Sequence, residues 1–204
     1  MYLIKISPFY DDMNENAAKI HSVANQLRYA SKVLQTIQSP ESIEGDTLLK
    51  NIIEVLNSWT GNTYVGHPKE KVLKKAFQVF FDGLFEFVLS CKDCRSITNH
   101  KMFEEALYHG TVYRYLGHGT CHNTDISAPV EPTEDKTWVS WSKAPENAYI
   151  ESKLYGTLTR LTCVIPEDRY GIDLEFFGVV RGNEEEVVFP TCLDLITKME
   201  FIER

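Results

Sequence analysis

Apolar residues follow two different rhythms along this chain. Between residues 12 and 38 no Gly or Pro interrupts the sequence. Ala17, Ile20, Val23, Ala24, Leu27, Leu34 and Ile37 recur there near a helical period. The spacing predicts an amphipathic helix. Its acidic first turn suits the positive end of the helix dipole, and Ser39-Pro40 ends it. A second helix is expected over residues 41–59, with Leu48, Leu49, Ile52, Ile53, Val55 and Leu56 inside. TGNTYVGHP reads as a loop. Pro68 then suits the first turn of a third helix reaching residue 89, and a short helix is expected in HKMFEEALY.

Near Gly110 the apolar runs become short and rich in β-branched and aromatic residues. TVYRYLG, KTWVSWS, GTLTRLTCVIP, FFGVV, EEVVFP and CLDLITKMEFI read as strands, most of them separated by Gly, Pro, Asn or Asp. KAPENAYIESKLY, between the second and third, reads as one helix. Helices first and strands later make an α+β pattern, not alternating βα units. The expected division is a helical part over residues 1–105 and a strand-rich part over residues 106–204, which could also form one compact domain. No internal repeat is visible.

Composition narrows the function classes. The 204 residues are 43% hydrophobic and 25% charged, an ordinary globular balance. The net charge of −8 argues against a general binder of nucleic-acid backbones, which needs clustered Lys and Arg, and suits a cationic partner. Five cysteines, an odd number, with no secretory signal before them, point to reduced thiols and a cytoplasmic setting. The longest apolar stretch, AFQVFFDGLFEFVLSC, is interrupted by Asp82 and Glu86 and is shorter than a spanning helix. A core helix is expected there, and no membrane association.

Three stretches carry candidate chemistry. In GNEEEVVFP, residues 182–190, strand alternation would put Glu184 and Glu186 on one face with Val188, and Glu185 on the other. Two carboxylates roughly 7 Å apart repel each other and favour a cation between them. The bland alternative is a solvated charge run that protects an edge strand. In TVYRYLG, Arg114 lies inside an aromatic run, where it must snorkel, pair with a carboxylate or bind an anion such as a phosphate. In WVSWS, Ser140 and Ser142 share a strand face and could orient a carboxylate or a ligand hydroxyl, or simply end the strand and cap a helix.

Taken in order, Tyr113-Arg114, Ser140-Trp141-Ser142 followed by Asn147-Ala148, and Glu184 to Pro190 resemble the R-S-E class of mono-ADP-ribosyltransferases. The chain is most similar to the small enzymes of this class from tailed phages, which also place helices before the sheet. The resemblance covers about residues 106–204. It implies a core of two packed small β-sheets with an NAD cleft between them. It further implies NAD as co-substrate and transfer of ADP-ribose to a protein acceptor with an accessible arginine. Arg114 would hold the pyrophosphate. Ser140 would orient Glu186 and the nicotinamide ribose. Glu186 would bind the ribose 2′-hydroxyl and stabilise an oxocarbenium-like transition state. Glu184 would receive the acceptor. Val180 to Asn183 would recognise the target. Tyr115 stands where the family often has Gly, so the nicotinamide contact made there differs from the usual one. Ser142, and Trp141 among the aromatic residues Tyr113, Trp138, Trp141 and Tyr149, complete the implied NAD-binding set, with core packing the alternative for each aromatic. No G-x-G-x-x-G stands in a βαβ setting.

Two further features need weighing. His109 in LYHGT resembles the NAD-binding His of the poly-ADP-ribose-polymerase-like branch and rivals Arg114 for the first-strand role, but the aromatic neighbours of Arg114 and the S-x-S and E-x-E elements favour Arg114, which leaves His109 as a loop histidine before the strand. Cys91-x-x-Cys94 and His118-x-x-Cys121, with His100 and His122 nearby, have zinc-like spacing. Buried or exposed thiols are the simpler reading, and no metal is expected. Alternatives to arginine transfer are NAD hydrolysis, transfer to RNA or another non-protein acceptor, and a zinc-braced acidic module that binds a host protein without catalysis. The resemblance to phage enzymes favours a bacterial host cytoplasm.

Overall fold

The computed structural model describes residues 13–36, 45–60, 70–93, 99–118, 137–145, 157–179, 185–190 and 193–203. The chain is α+β and divides into two units, Met1–Glu104 and Glu105–Arg204.

The first unit carries helices α1 (Met13–Thr36), α2 (Gly45–Thr60) and α3 (Glu70–Asp93). The helical period of the sequence becomes a buried stripe. Ala17, Ile20, Val23, Ala24, Leu27, Val33 and Leu34 are buried on α1, and Ile52, Val55 and Leu56 on α2. On α3 the aromatic residues Phe77, Phe80, Phe81 and Phe87 are all but fully enclosed. Trp59 meets Phe77 and Phe81 edge-on, with ring centroids 5.2 and 5.0 Å apart, the arrangement aromatic quadrupoles favour. Gly83 lets α1 and α3 approach closely: a Cβ there would lie 3.0 Å from the Ala24 carbonyl oxygen. No helix among the described residues is long and apolar enough to cross a membrane.

A 3₁₀ segment, Asn99–Ala106, stands where HKMFEEALY was expected to form a short helix, and it passes directly into strand β1 (Leu107–Tyr108). The second unit then holds β2 (Gly110–His118), β3 (Trp138–Ser142), β4 (Thr157–Ile165), β5 (Gly171–Asp173), β6 (Glu186–Pro190) and β7 (Ile196–Glu203). All recorded strand pairs are antiparallel, in the order β1-β5-β6-β3-β2-β4-β7. Where the resemblance leads one to expect two packed small sheets, the described residues form one seven-stranded sheet. Its connection is uneven. The β2/β4 ladder runs from Gly110↔Ile165 to His118↔Thr157, and β3/β6 from Trp138↔Pro190 to Ser142↔Glu186, but β2 meets β3 through the single pair Tyr113↔Ser142. The sheet therefore has a seam between a β1-β5-β6-β3 part and a β2-β4-β7 part.

Alternation along the strands defines two faces. Val112, Val139, Trp141, Leu161, Cys163, Ile165, Val187 and Phe189 form one apolar cluster. Ser140, Ser142, Glu186, Val188 and Ile172 register on the opposite face. Gly171 on β5 is required by close approach, since a Cβ there would lie 2.5 Å from Val187 Cγ1.

One expected strand is not a strand. Of FFGVV, Phe176 and Phe177 end a 3₁₀ turn, Glu175–Phe177, closed by Gly178 in the left-handed region at φ +69°, and Val180 lies outside the described residues. Gly178 N–H donates to the Glu175 carbonyl at 2.8 Å and Phe177 N–H to that of Leu174 at 3.1 Å. Phe177 and Val179 are buried all the same. These apolar residues join the core without forming a strand, because the glycine bends the chain there. The expected helix over KAPENAYIESKLY falls mostly outside the described residues.

Candidate active site

Ser140 and Glu186 meet across the β3/β6 ladder. The Ser140 Oγ donates a short hydrogen bond to Glu186 Oε1. Both side chains project from the same face because Ser140 pairs with Val188 and Ser142 pairs with Glu186. The two therefore stand on a diagonal of the ladder. Glu186 is only 7% exposed, rare for a carboxylate. Its apolar wall is supplied by Val188 and, through the β5/β6 pair, by Ile172, both fully buried.

Arg114 lies one strand away, at the seam. In a continuous ladder the Ser140 carbonyl would accept a main-chain N–H from β2. The β2/β3 ladder has its one pair at Tyr113↔Ser142, and here the Arg114 Nη1 donates to the Ser140 carbonyl instead, at 3.3 Å. A guanidinium thus takes a place that a backbone amide would fill in a regular sheet. The pairing Arg114↔Leu161 sets the root of Arg114 on the side of Leu161, opposite to Ser140 and Glu186. Its guanidinium reaches the plane of the sheet where β2 and β3 part.

The other candidates are placed as follows. Ser142 is buried and closes a local turn: its Oγ lies 2.8 Å from the Ala144 carbonyl and 3.2 Å from the Ala144 amide, which donates to it. Trp141 sits in the apolar cluster on the other face, and its buried indole N–H has no hydrogen-bond partner among the described residues. Its position is that of a core residue. His109 is exposed just before β2, with its ring 6.3 Å from that of Tyr170. It is not brought beside the Ser140–Glu186 pair by any recorded contact. Tyr115 belongs to β2, where its main chain pairs with Arg160. Glu184 and the segment from Val180 to Asn183 lie outside the described residues, as do Asn147, Ala148 and Tyr149. Glu185 is exposed.

For the zinc spacing, Cys91 is a fully buried thiol on α3. Cys94, Cys121, His122 and the side chains of His100 and His118 lie outside the described residues. Among the described residues no group of three or more His, Cys, Asp or Glu is arranged to hold a metal ion.

Residues that the sequence did not single out frame the root of Glu186. Lys143 directly follows β3. Its amide donates to the Glu185 carbonyl at 2.9 Å, and its ammonium lies 2.9 Å from Asp173 Oδ2 and 2.8 Å from Glu175 Oε2. Leu174 N–H donates to the Glu186 carbonyl at 3.0 Å. Burial on its own would lower the Lys143 pKa, but the hydrogen bonds to Glu175 and Asp173 outweigh it and hold the ammonium above its ordinary value. The ammonium also stands 5.9 Å from the centre of the Tyr108 ring. Burial pushes the Tyr108 phenol up, partly opposed by Lys143. The position of Lys143 next to S-x-S was a usable signal. Asp173 carried none, because only the pairing of β5 with β6 brings it near.

Comparison with protein-family models, curated proteins and solved structures gives no match to this chain.

Proposed function

We propose that this protein is a mono-ADP-ribosyltransferase that moves ADP-ribose from NAD to an arginine of a protein acceptor and releases nicotinamide. The observation that carries the reading is the buried Glu186 carboxylate held by Ser140, with Arg114 anchored on the same serine's carbonyl. These are the three residue types, in the chain order, that the R-S-E resemblance requires.

The chemistry follows from what each group can do. Glu186 accepts a hydrogen bond from the 2′-hydroxyl of the nicotinamide ribose and sets its negative charge beside the carbon that becomes cationic. Such a carboxylate stabilises the transition state more than the ground state. Ser140 keeps the carboxylate from rotating, so the charge is in place before the reaction begins. Arg114 supplies a fixed cation for the pyrophosphate. The C1′–nicotinamide nitrogen bond breaks, and nicotinamide leaves with the electron pair. A guanidinium nitrogen of the acceptor bonds to C1′ and loses a proton, which Glu184 is suited to receive. The net charge of −8 favours approach of a cationic acceptor.

The test is incubation of the protein with labelled NAD and a bacterial lysate, beside Glu186→Gln and Glu184→Gln. Labelled bands lost in both variants are expected. Nicotinamide release without bands, retained in Glu184→Gln, would make the protein an NAD hydrolase. Labelled RNA in place of labelled protein would change the acceptor class. A wild-type protein that leaves NAD untouched would overturn the enzyme reading.

A further inference from the structure

Glu186 is the first residue of β6, and strand ends open more readily than strand centres. Two main-chain hydrogen bonds hold its root from opposite sides. Lys143 N–H, just past β3, donates to the Glu185 carbonyl, and Leu174 N–H, just past β5, donates to the Glu186 carbonyl. These donors follow different strands, joined through β6 between them, and a direct link between the two strand ends fixes their spacing more firmly.

The Lys143 side chain makes that connection. Its ammonium bridges Asp173, the last residue of β5, and Glu175, the residue after Leu174. Asp173 in turn accepts the Glu175 amide through Oδ1 at 3.1 Å. The turn that presents the Leu174 amide is thereby gripped on both sides. Lys143 and Asp173 are each 16% exposed at the side chain, so this arm of the bridge is partly shielded from water, whereas Glu175 at 55% is the weaker arm. Asp173 pairs with Val187, which sets it on the face away from the Glu186 carboxylate. Lys143 therefore acts from behind the strand, not on the reacting face. Without the ammonium, Asp173 and Glu175 would be two neighbouring carboxylates with no cation between them among the described residues. Their repulsion would push the turn outward.

We propose that Lys143 is a positioning residue for Glu186: its bridge to Asp173 and Glu175 clamps the ends of β3 and β5 around β6 and fixes where the Glu186 carboxylate points. The proposal rests on the reading of Glu186 as the carboxylate that stabilises the transition state. A lysine in an ordinary structural ion pair would affect overall stability and little else.

Two readouts on the full chain separate these roles. Amide hydrogen exchange tests the clamp without any activity. In Lys143→Met, exchange at Leu174 is expected to rise about tenfold or more, while amides at the centre of β4 such as Leu161 stay within about twofold. Lys143→Arg, which keeps the charge, is expected to restore most of the protection. NAD turnover tests the consequence. Lys143→Met should lower kcat by about tenfold to a hundredfold with KM for NAD within about twofold, because a displaced carboxylate weakens the transition state more than ground-state binding. Should Lys143→Met not fold, Glu175→Gln and Asp173→Asn each remove one arm and should give smaller changes of the same sign. Unchanged exchange at Leu174 overturns the clamp, whatever the activity. Raised exchange with unchanged kcat in an active protein overturns the positioning role. A wild type that consumes no NAD overturns the functional reading instead, and the exchange data still decide whether Lys143 clamps Glu186.

Discussion

Ser140 and Glu186 are hydrogen-bonded across the β3/β6 ladder although they are not opposite each other; Ser140 pairs with Val188 and Glu186 with Ser142. Removing the serine leaves a buried carboxylate with one partner fewer. Ser140→Ala is expected to lower kcat for NAD consumption by about a hundredfold, the usual result of loosening a catalytic group by about 1 Å. KM for NAD should change much less. Steady-state kinetics with far-UV circular dichroism, to establish that the fold persists, checks this. A parallel rise in KM would place the serine in substrate binding instead.

Arg114 offers a sharper substitution. Its Nη1 fills the gap left where β2 and β3 part. Lysine retains the charge but loses the planar fork that binds a pyrophosphate in two places. Arg114→Lys is expected to raise KM for NAD by about tenfold or more, with a smaller effect on kcat. Arg114→Ala should do the same and also destabilise the protein by about 1 kcal/mol, through loss of the hydrogen bond to the Ser140 carbonyl. Isothermal titration with NAD and thermal unfolding measure the two effects separately.

Much of this architecture was legible from residue spacing, because it depends on local periodicity. The α1 stripe of Ala17, Ile20, Val23, Ala24 and Leu27 is the buried face, and five of the six expected strands occur as strands. What escaped depends on partners distant in sequence. β1 and β5 are two and three residues long, too short for alternation to register, and they exist because Leu107 and Tyr108 pair with Ile172 and Gly171. FFGVV has strand composition but carries Gly178, where the chain turns left-handed. Within the site, Ser140 and Glu186 were visible because each lies in a recognisable strand motif. Lys143 directly follows S-x-S and could have been singled out there, but its partner Asp173 could not, because only the pairing of β5 with β6 brings the two together.

Gly171 gives a test of the fold at the edge of the site. An added Cβ would lie 2.5 Å from Val187 Cγ1 and 3.3 Å from both Ile165 Cδ1 and the Val188 carbonyl oxygen. The backbone there is ordinary, so the cost is steric and not conformational. Gly171→Ala is expected to destabilise the protein by about 1–3 kcal/mol, the range for overpacking a tight core. Because β5 also carries Asp173, the turn beside Glu186 should loosen as well. Urea unfolding measures the first effect, and exchange at the Leu174 amide the second.

Glu200 on β7 predicts an acid-sensitive edge. Hydrogen bonds from Lys198 and Arg160 hold its carboxyl below the ordinary value, the lysine contact being the larger influence. Arg160 on β4 pairs with Glu200 across the ladder, and its Nε stands 2.9 Å from Oε2. A carboxyl whose folded pKa is depressed binds its proton more readily in the unfolded chain. Its stabilising effect is therefore complete above the unfolded pKa and fades as pH falls through the folded one. Arg160 and Glu200 still reach solvent, so the effect is small and screened by salt. Wild type is expected to exceed Glu200→Gln in Tm at pH 7, and the gap should close as the pH is lowered from about 5 to about 3. Thermal unfolding at low ionic strength across that range measures it. A gap that stays constant with pH would mean that Glu200 acts through packing and not through its charge.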